Sequence, residues 1–479
     1  MKFTKITKKL VLAAAAVMTV LSANAEGYQI NSQSSRQWGM AHTGTALKLG
    51  AESMLFNPAG MVYMNSKFDV SLGSILIKSK VNFEQPGYKH ETDNPLSTPI
   101  FGYFGYKPCE KLAVGISITN PAGNSMVWGD NWVGATHIQE VSLKAFNVQP
   151  TISYKINDIV SVGAGLMIDF GSFSQEKGLI EPGKLDALGD YVPSFNPLIE
   201  TFKSQTPVGI ELEGSSKVAL GFNVGILVNV SPKVTIGATY RSKVKLSVDN
   251  GEADIDYTGK ANDLIGNVTQ ITDDQIKAMI GAKPIPEAEK NALITTLIGT
   301  KQSLAELQKT AAVLDNSEFK ASMPIPAIFS VGIAYQPNEA WTLTGEAQIT
   351  GWSAYDKLDI TFKTTAGEIV QSSVKDYENT VAVRLGAQYV VSDFWTVRAG
   401  AYMDTPPVQM DNYNPETPSA NSYGVTAGAT LNPMKNLAID LSVGYLRGEK
   451  TTGSYQNGSF VADYTKSAIM PGIAVRFQF

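Results

Sequence analysis

From near Phe68 to the terminal Phe479, apolar and polar residues alternate with a period of two in about fourteen segments, which is the pattern of strands with two unlike faces. The connections between them alternate as well. Six are tight and polar, at 107–111 (KPCEK), 156–159 (INDI), 231–233 (SPK), 336–340 (QPNEA), 391–394 (VSDF) and 432–436 (NPMKN). The other seven run from about a dozen to over seventy residues. A soluble sandwich has no reason to keep every second loop short, whereas a membrane barrel has short periplasmic turns, long outer loops and an even strand count. The pattern predicts an all-β membrane protein: a roughly 14-stranded antiparallel up-and-down transmembrane β-barrel over 67–479.

Individual strands divide cleanly by face. Val381, Val383, Leu385, Ala387 and Tyr389 share one face, and Ala382, Arg384, Gly386 and Gln388 the other. The next segment sets Trp395, Val397, Ala399 and Ala401 against Thr396, Arg398 and Gly400. Lipid takes the apolar set. Tyr106, Tyr154, Tyr335, Trp341, Tyr389 and Trp395 cluster beside tight turns and suit an interfacial girdle. Inward Glu346, Arg384, Arg398, Asp440 and Arg476 are expected to pair across strands and anchor whatever fills the lumen.

The first residues predict export. Lys2, Lys5, Lys8 and Lys9 precede an apolar run over 10–21 and then Ala23-Asn24-Ala25, the three parts of a signal peptide over 1–25. That run is too short to span a bilayer. Composition then fits an exported barrel: 43% hydrophobic and 17% charged residues give no long apolar helix, because outward and inward positions average out. A net charge of -5 offers no case for nucleic acid. The single cysteine, Cys109, excludes an internal disulfide. Catalysis finds no support. His42 is expected in the segment before the first strand and His90 and His137 in outer loops, none on a strand, with no metal pair, serine elbow or phosphate loop, and no metal or cofactor is implied.

Residues 26–66 do not alternate. Rich in Gly, Ser and Thr, too polar for lipid and too short for a separate domain, they are expected to fold inside the barrel as a plug. Two outer loops, near 178–210 and 250–324, are apolar at helical spacing. The first carries Leu185, Leu188, Val192 and Phe195, then Leu198, Ile199 and Phe202; the second carries Ile276, Met279, Ile280, Leu293, Leu297, Leu304 and Leu307. Either these helices pack on each other as a cap, or they form an apolar capture groove at the mouth.

Asn57-Pro58-Ala59 within 26–66 gives the first specific resemblance: it resembles the Asn-Pro-Ala hatch motif of the FadL family, transporters of long-chain fatty acids and other hydrophobic compounds. Tyr240 to Lys245 (YRSKVK), Trp352-Ser353, Phe394 to Arg398 (FWTVR), and Asp404 followed by Pro406-Pro407-Val408 are similar to family stretches at matching places, so the likeness covers the whole mature chain. The aromatic C-terminal strand resembles the signal read by the outer-membrane assembly machinery. The resemblance implies a hatch over 26–66, a monomer in the bacterial outer membrane, and passive uptake of long hydrophobic molecules, foremost long-chain fatty acids. A general diffusion porin is the alternative, and an outer-membrane lipase a distant one.

It also implies particular residues. Lys177 ends the fifth segment, inward like Phe173, at the place of a basic residue that meets the fatty-acid carboxylate; Lys375 lies near the place of a second. Alternatively Lys177 pairs with Glu176 or Asp169. The third segment meets Asn120-Pro121-Ala122-Gly123 near the outer rim, where proline cannot donate to a ladder. That break either only starts the next loop or, as the resemblance implies, kinks inward and opens the wall. In the second case Asn120, Pro121 and Gly123 border a lateral exit, with Asn57, Pro58 and Ala59 packed against it.

Overall fold

The computed structural model describes residues 27–455, 458 and 460–479; the expected signal peptide over 1–25 lies outside the described residues. Fourteen barrel strands follow in chain order: β1 (Phe68–Ile75, resumed as Lys78–Gln85), β2 (Ile100–Cys109), β3 (Leu112–Thr119, resumed as Gly123–Val127), β4 (Glu140–Lys155) and β5 (Val160–Gly178). Then come β6 (Val208–Ser215 and Ala219–Ser231), β7 (Val234–Arg241 and Val244–Tyr257), β8 (Ser317–Ile325 and Ile328–Tyr335), β9 (Trp341–Thr350) and β10 (Thr380–Val390). The ring is completed by β11 (Trp395–Asp404), β12 (Ser422–Met434), β13 (Leu437–Gly448) and β14 (Phe460–Gln478). Each strand pairs antiparallel with its sequence neighbours, and β14 returns to β1 with Gln478 opposite Asp69.

Closure removes the sheet edges that lipid could not satisfy. At the seam Phe68 and Phe479 exchange main-chain hydrogen bonds of 2.7 and 3.0 Å, and Phe68 stacks between Phe479 and Tyr106. The terminal aromatic residue is thus part of the lock. The tight turns are set by local chemistry. Asn157 Oδ1 accepts from the Ile159 and Val160 N–H groups, and Asn338 Oδ1 from those of Ala340 and Trp341, which are Asx turns. Outward residues such as Phe104, Ile116, Leu166, Leu220, Ile333 and Val425 are exposed, as a lipid-facing band requires.

Residues 27–66 lie in the lumen and are largely buried. They fold as short helical turns, Ser35–Trp38, Ser53–Phe56 and Pro58–Tyr63, whose polar ends are tied to the wall. Glu346 of β9 accepts from the Gly44 and Thr45 N–H groups at 2.9 and 2.8 Å. Gln149 of β4 donates to Met54 O at 2.7 Å, and the Trp38 indole donates to Met470 O at 3.0 Å. Glu52 accepts from Ser34 and Ser71 and pairs with Arg36 at 3.0 Å.

The inward charges of the wall pair as their spacing requires. Arg384 lies 3.4 Å from Asp404, and Asp440 lies 2.6 Å from Arg476 and 3.8 Å from Arg398. One carboxylate therefore holds two guanidinium groups in a site closed to solvent. Removing one partner of a buried pair leaves an uncompensated charge and costs about 3–5 kcal/mol. Asp440→Ala is expected to lower the stability of the folded barrel by that order. The heat needed to convert the compact gel band to the unfolded one measures it.

Candidate ligand path

Beginning at the outer end, the loop after β5 and the helices α1 (Ala261–Gln270), α2 (Asp273–Gly281) and α3 (Glu287–Leu314) form one apolar cluster. α2 opens with a capping box, Thr272 Oγ1 accepting from Gln275 N–H and Gln275 Oε1 accepting from Thr272 N–H. Leu185, Leu188, Phe195, Ile199 and Phe202 are buried there against Leu264, Ile276 and Leu297, with Val192 and Leu198 partly buried. The seven side chains expected along a capture groove are thus packed into this cluster. Two apolar faces, neither able to bury itself alone, have packed on each other as a cap. What remains open is a groove of about 760 Å³ beside α3, bordered by Leu179, Ile180, Leu185, Leu304 and Leu307.

Beneath the cap lies a narrow apolar chamber of about 70 Å³, lined by Val141, Leu143, Phe173, Leu246, Met323, Tyr355 and Leu358. Phe173 is where its inward register places it. Lys375 is not an open cation: it is 2% exposed and its ammonium donates to Glu416 at 2.7 Å. Glu416 comes from the outer loop between β11 and β12, which dips into the mouth, and it also accepts from Gln175 Nε2 at 2.7 Å. Burial pushes the Glu416 carboxyl up, but the Lys375 charge and the donated hydrogen bonds outweigh it and hold the group below the usual carboxylate range. Lys177 is half-buried outside the chamber lining, and the Glu416 and Lys375 charges both act on it. Asp169, its alternative partner, accepts from Asn147 at 2.9 Å instead.

The wall is broken at β3. Between Thr119, opposite Asn147, and Gly123, opposite Lys144, the register shifts by one residue, a bulge at Asn120-Pro121-Ala122. On the other side the β2 ladder ends at Gly102 opposite Ile118, and the resumed half of β3 does not rejoin it. The freed main-chain groups pair inward. Gln33 Nε2 donates to Asn120 O at 2.6 Å and Gln33 Oε1 accepts from Asn120 N–H at 3.1 Å. Ile30 N–H donates to Pro121 O at 3.2 Å, and Gly123 N–H donates to Tyr28 O at 2.9 Å. Residues 28–33 thus act as a short replacement strand. Beside them is a cavity of about 660 Å³ whose border includes luminal Gln29, Asn31 and Tyr402 and outward-facing Leu96, Ile100 and Phe146. Asn124 and Leu143 border both this cavity and the chamber.

Asn57-Pro58-Ala59 is elsewhere. Asn57 Nδ2 donates to Thr45 O and to Ile226 O of β6, Asn57 Oδ1 caps its own turn by accepting from Ala59 N–H, and Ser161 of β5 donates to Ala59 O. A Cβ on Gly163 or Gly225 would overlap Pro58 or Asn57, so two glycines on β5 and β6 make the seat for this motif. The expected packing of the motif against the β3 break is corrected accordingly. His90, expected off any strand, lies on a short hairpin strand, Tyr88–Glu91, above the wall.

A family model described as outer membrane protein transport protein (OMPP1/FadL/TodX) matches residues 15–479. The chain belongs to this FadL/TodX family. It is 24% identical over 471 residues to a long-chain fatty acid transport protein of Salmonella typhi, with 95% of each chain covered. It is 25% identical over 489 residues to a 47 kDa outer membrane protein of Pasteurella multocida (strain Pm70), with 100% of each covered. A Pseudomonas aeruginosa FadL homologue superposes with a TM-score of 0.70 at 19% identity, covering 95% of this chain and 100% of that one. The P. putida toluene transporter TodX gives 0.66 at 15%, covering 94% and 99%. Both establish the barrel fold. This FadL/TodX chain is therefore a multi-pass outer-membrane transporter that passes hydrophobic compounds passively; its family is one of transporters, not enzymes.

Two features escaped the sequence. Glu416 sits in a polar loop stretch with no periodicity to mark it. The replacement strand had a faint signal, the alternation of Tyr28 and Ile30 with Gln29 and Asn31.

Two outcomes follow from this geometry. Gln33→Ala strips both bonds from the Asn120 main chain, and leaving buried groups unpaired costs about 1–3 kcal/mol each; hydrogen exchange at 120–123 should accelerate while exchange in β9 to β12 stays slow. Leu188→Asp should open the cap, because a carboxylate cannot stay in that apolar cluster. Limited proteolysis would then cut within 178–210 in the variant before the parent, with the barrel intact.

Proposed function

We propose that this transporter takes up long-chain fatty acids and their uncharged relatives in three stages: capture at the groove beside α3, residence with the polar end at the narrow chamber and the tail in the adjoining cavity, and lateral exit through the break in β3. The observation that carries the proposal is the 660 Å³ cavity, bordered on one side by luminal residues and on the other by lipid-facing ones. A long apolar tail gains by leaving sideways, since each methylene kept from water is worth about 0.8 kcal/mol. The relatives named for long-chain fatty acids support the substrate length. Residues 26–66 act as the hatch: the described part, 27–66, fills the lumen and supplies the replacement strand, which favours this reading over an open porin.

Lateral exit has a direct test. With Cys109 first changed to Ser, a cysteine pair placed across the gap, one within 95–100 and one within 122–126, closes it on oxidation. Uptake of a labelled long-chain fatty acid by whole cells should fall severalfold on oxidation and recover on reduction. Undiminished uptake through the sealed wall would remove the lateral route, and rapid sugar permeation in liposome swelling would favour the porin.

A further inference from the structure

Among the described residues bordering the chamber, Glu416 carries the one formal charge. A chamber for ionised fatty acids would present a cation. Here the cations stand off: Lys375 is neutralised by Glu416, and neither Lys375 nor Lys177 borders the chamber. Nor is Glu416 loosely placed. Its N–H donates to Asn414 Oδ1 at 2.8 Å, Asn124 Nδ2 donates to its carbonyl at 2.9 Å, and the Trp128 indole donates to the preceding Pro415 carbonyl at 3.0 Å.

An entering carboxylate meets the Glu416 oxygens before either lysine, and the cation nearest them is already paired, an ordering that counts for more in a poorly solvated site than in water. To reach Lys375 it must displace Glu416, leaving that carboxylate buried without its partner. A neutral donor meets neither obstacle. Each carboxylate oxygen has two acceptor sites, and Gln175 donates to Oε1 and Lys375 to Oε2 of Glu416, with the Asn414 side chain as a further donor to the carboxylate, which leaves an acceptor site over. A ligand hydroxyl or amide N–H can therefore add to Glu416 as a charge-assisted hydrogen bond.

We propose that the chamber selects long apolar molecules ending in an uncharged hydrogen-bond donor, such as a fatty alcohol or fatty amide, over ionised fatty acids, and that Glu416 sets this preference. The proposal rests on the transport path above and names the head group that path accepts.

The test compares ligands sharing one tail: oleyl alcohol, oleamide, methyl oleate, oleate and the parent hydrocarbon. Each displaces a pyrene-labelled hydrocarbon from the purified protein in nanodiscs, at alkaline pH where oleate is ionised. Alcohol and amide should displace the probe at about tenfold lower concentration than oleate. The ester, which accepts but cannot donate, should fall between them. Glu416→Gln should erase the difference by admitting oleate to the released Lys375, with displacement by the hydrocarbon unchanged. Equal displacement by alcohol and oleate in the parent protein, or an unchanged ratio in folded Glu416→Gln, overturns the head-group proposal alone. If the variant does not fold, the parent series decides by itself. Failure of even the hydrocarbon to displace the probe overturns the transport path and this proposal with it.

Discussion

A wall in lipid must satisfy every main-chain donor and acceptor, and β3 meets this demand at its break by borrowing partners from the lumen. Asn120, Pro121 and Gly123 pair with Gln33, Ile30 and Tyr28 where a continuous sheet would offer β2. The rest of the interior depends on that exchange. It fixes residues 28–33 across the barrel, with Tyr28 reaching Pro324 O of β8 and packing edge-on against Trp352 at 4.6 Å. It also keeps the gap from being an open sheet edge, which would invite pairing with another chain.

The charges of the lumen follow a second rule. Deep in the barrel they serve anchorage: Glu346 holds a main-chain turn, and Asp440 holds Arg398 and Arg476. Near the mouth the Lys375–Glu416 pair, close enough to Lys177 for both charges to act on it, stands beside the apolar side chains of the chamber. The interior thus grades from a polar scaffold to an apolar chamber. A greasy solute meets its least costly surroundings next to the cavity at the break in β3.

What was legible in the sequence is what local physics decides. Strand periodicity, the tight turns at 156–159 and 336–340, and the outward aromatics each depend on residues a few positions apart, and the ring of strands follows from them. Long-range choices were not legible. Whether Leu188 and Phe195 line a groove or fill a core depends on α1 to α3, which lie far along the chain. The seat of Asn57 depends on glycines at 163 and 225, and a motif shared with relatives does not say which wall receives it. Lys375 reads as a free cation until the loop carrying Glu416 is folded over it.

The luminal segment also constrains the order in which the molecule can be finished. Trp38 bonds to Met470, 432 positions away, and Ser35 to Asp440, 405 away, so the earliest part of the barrel's contents rests on its last strands. Contacts that distant form late, because the loop they close must first lose its freedom. Residues 27–66 therefore lack their partners on that side until β13 and β14, the strands that lead to the Phe68–Phe479 seam, are in place. The luminal contacts to β13 and β14 can form only once those strands are in place, so this part of the packing depends on the strands that close the barrel.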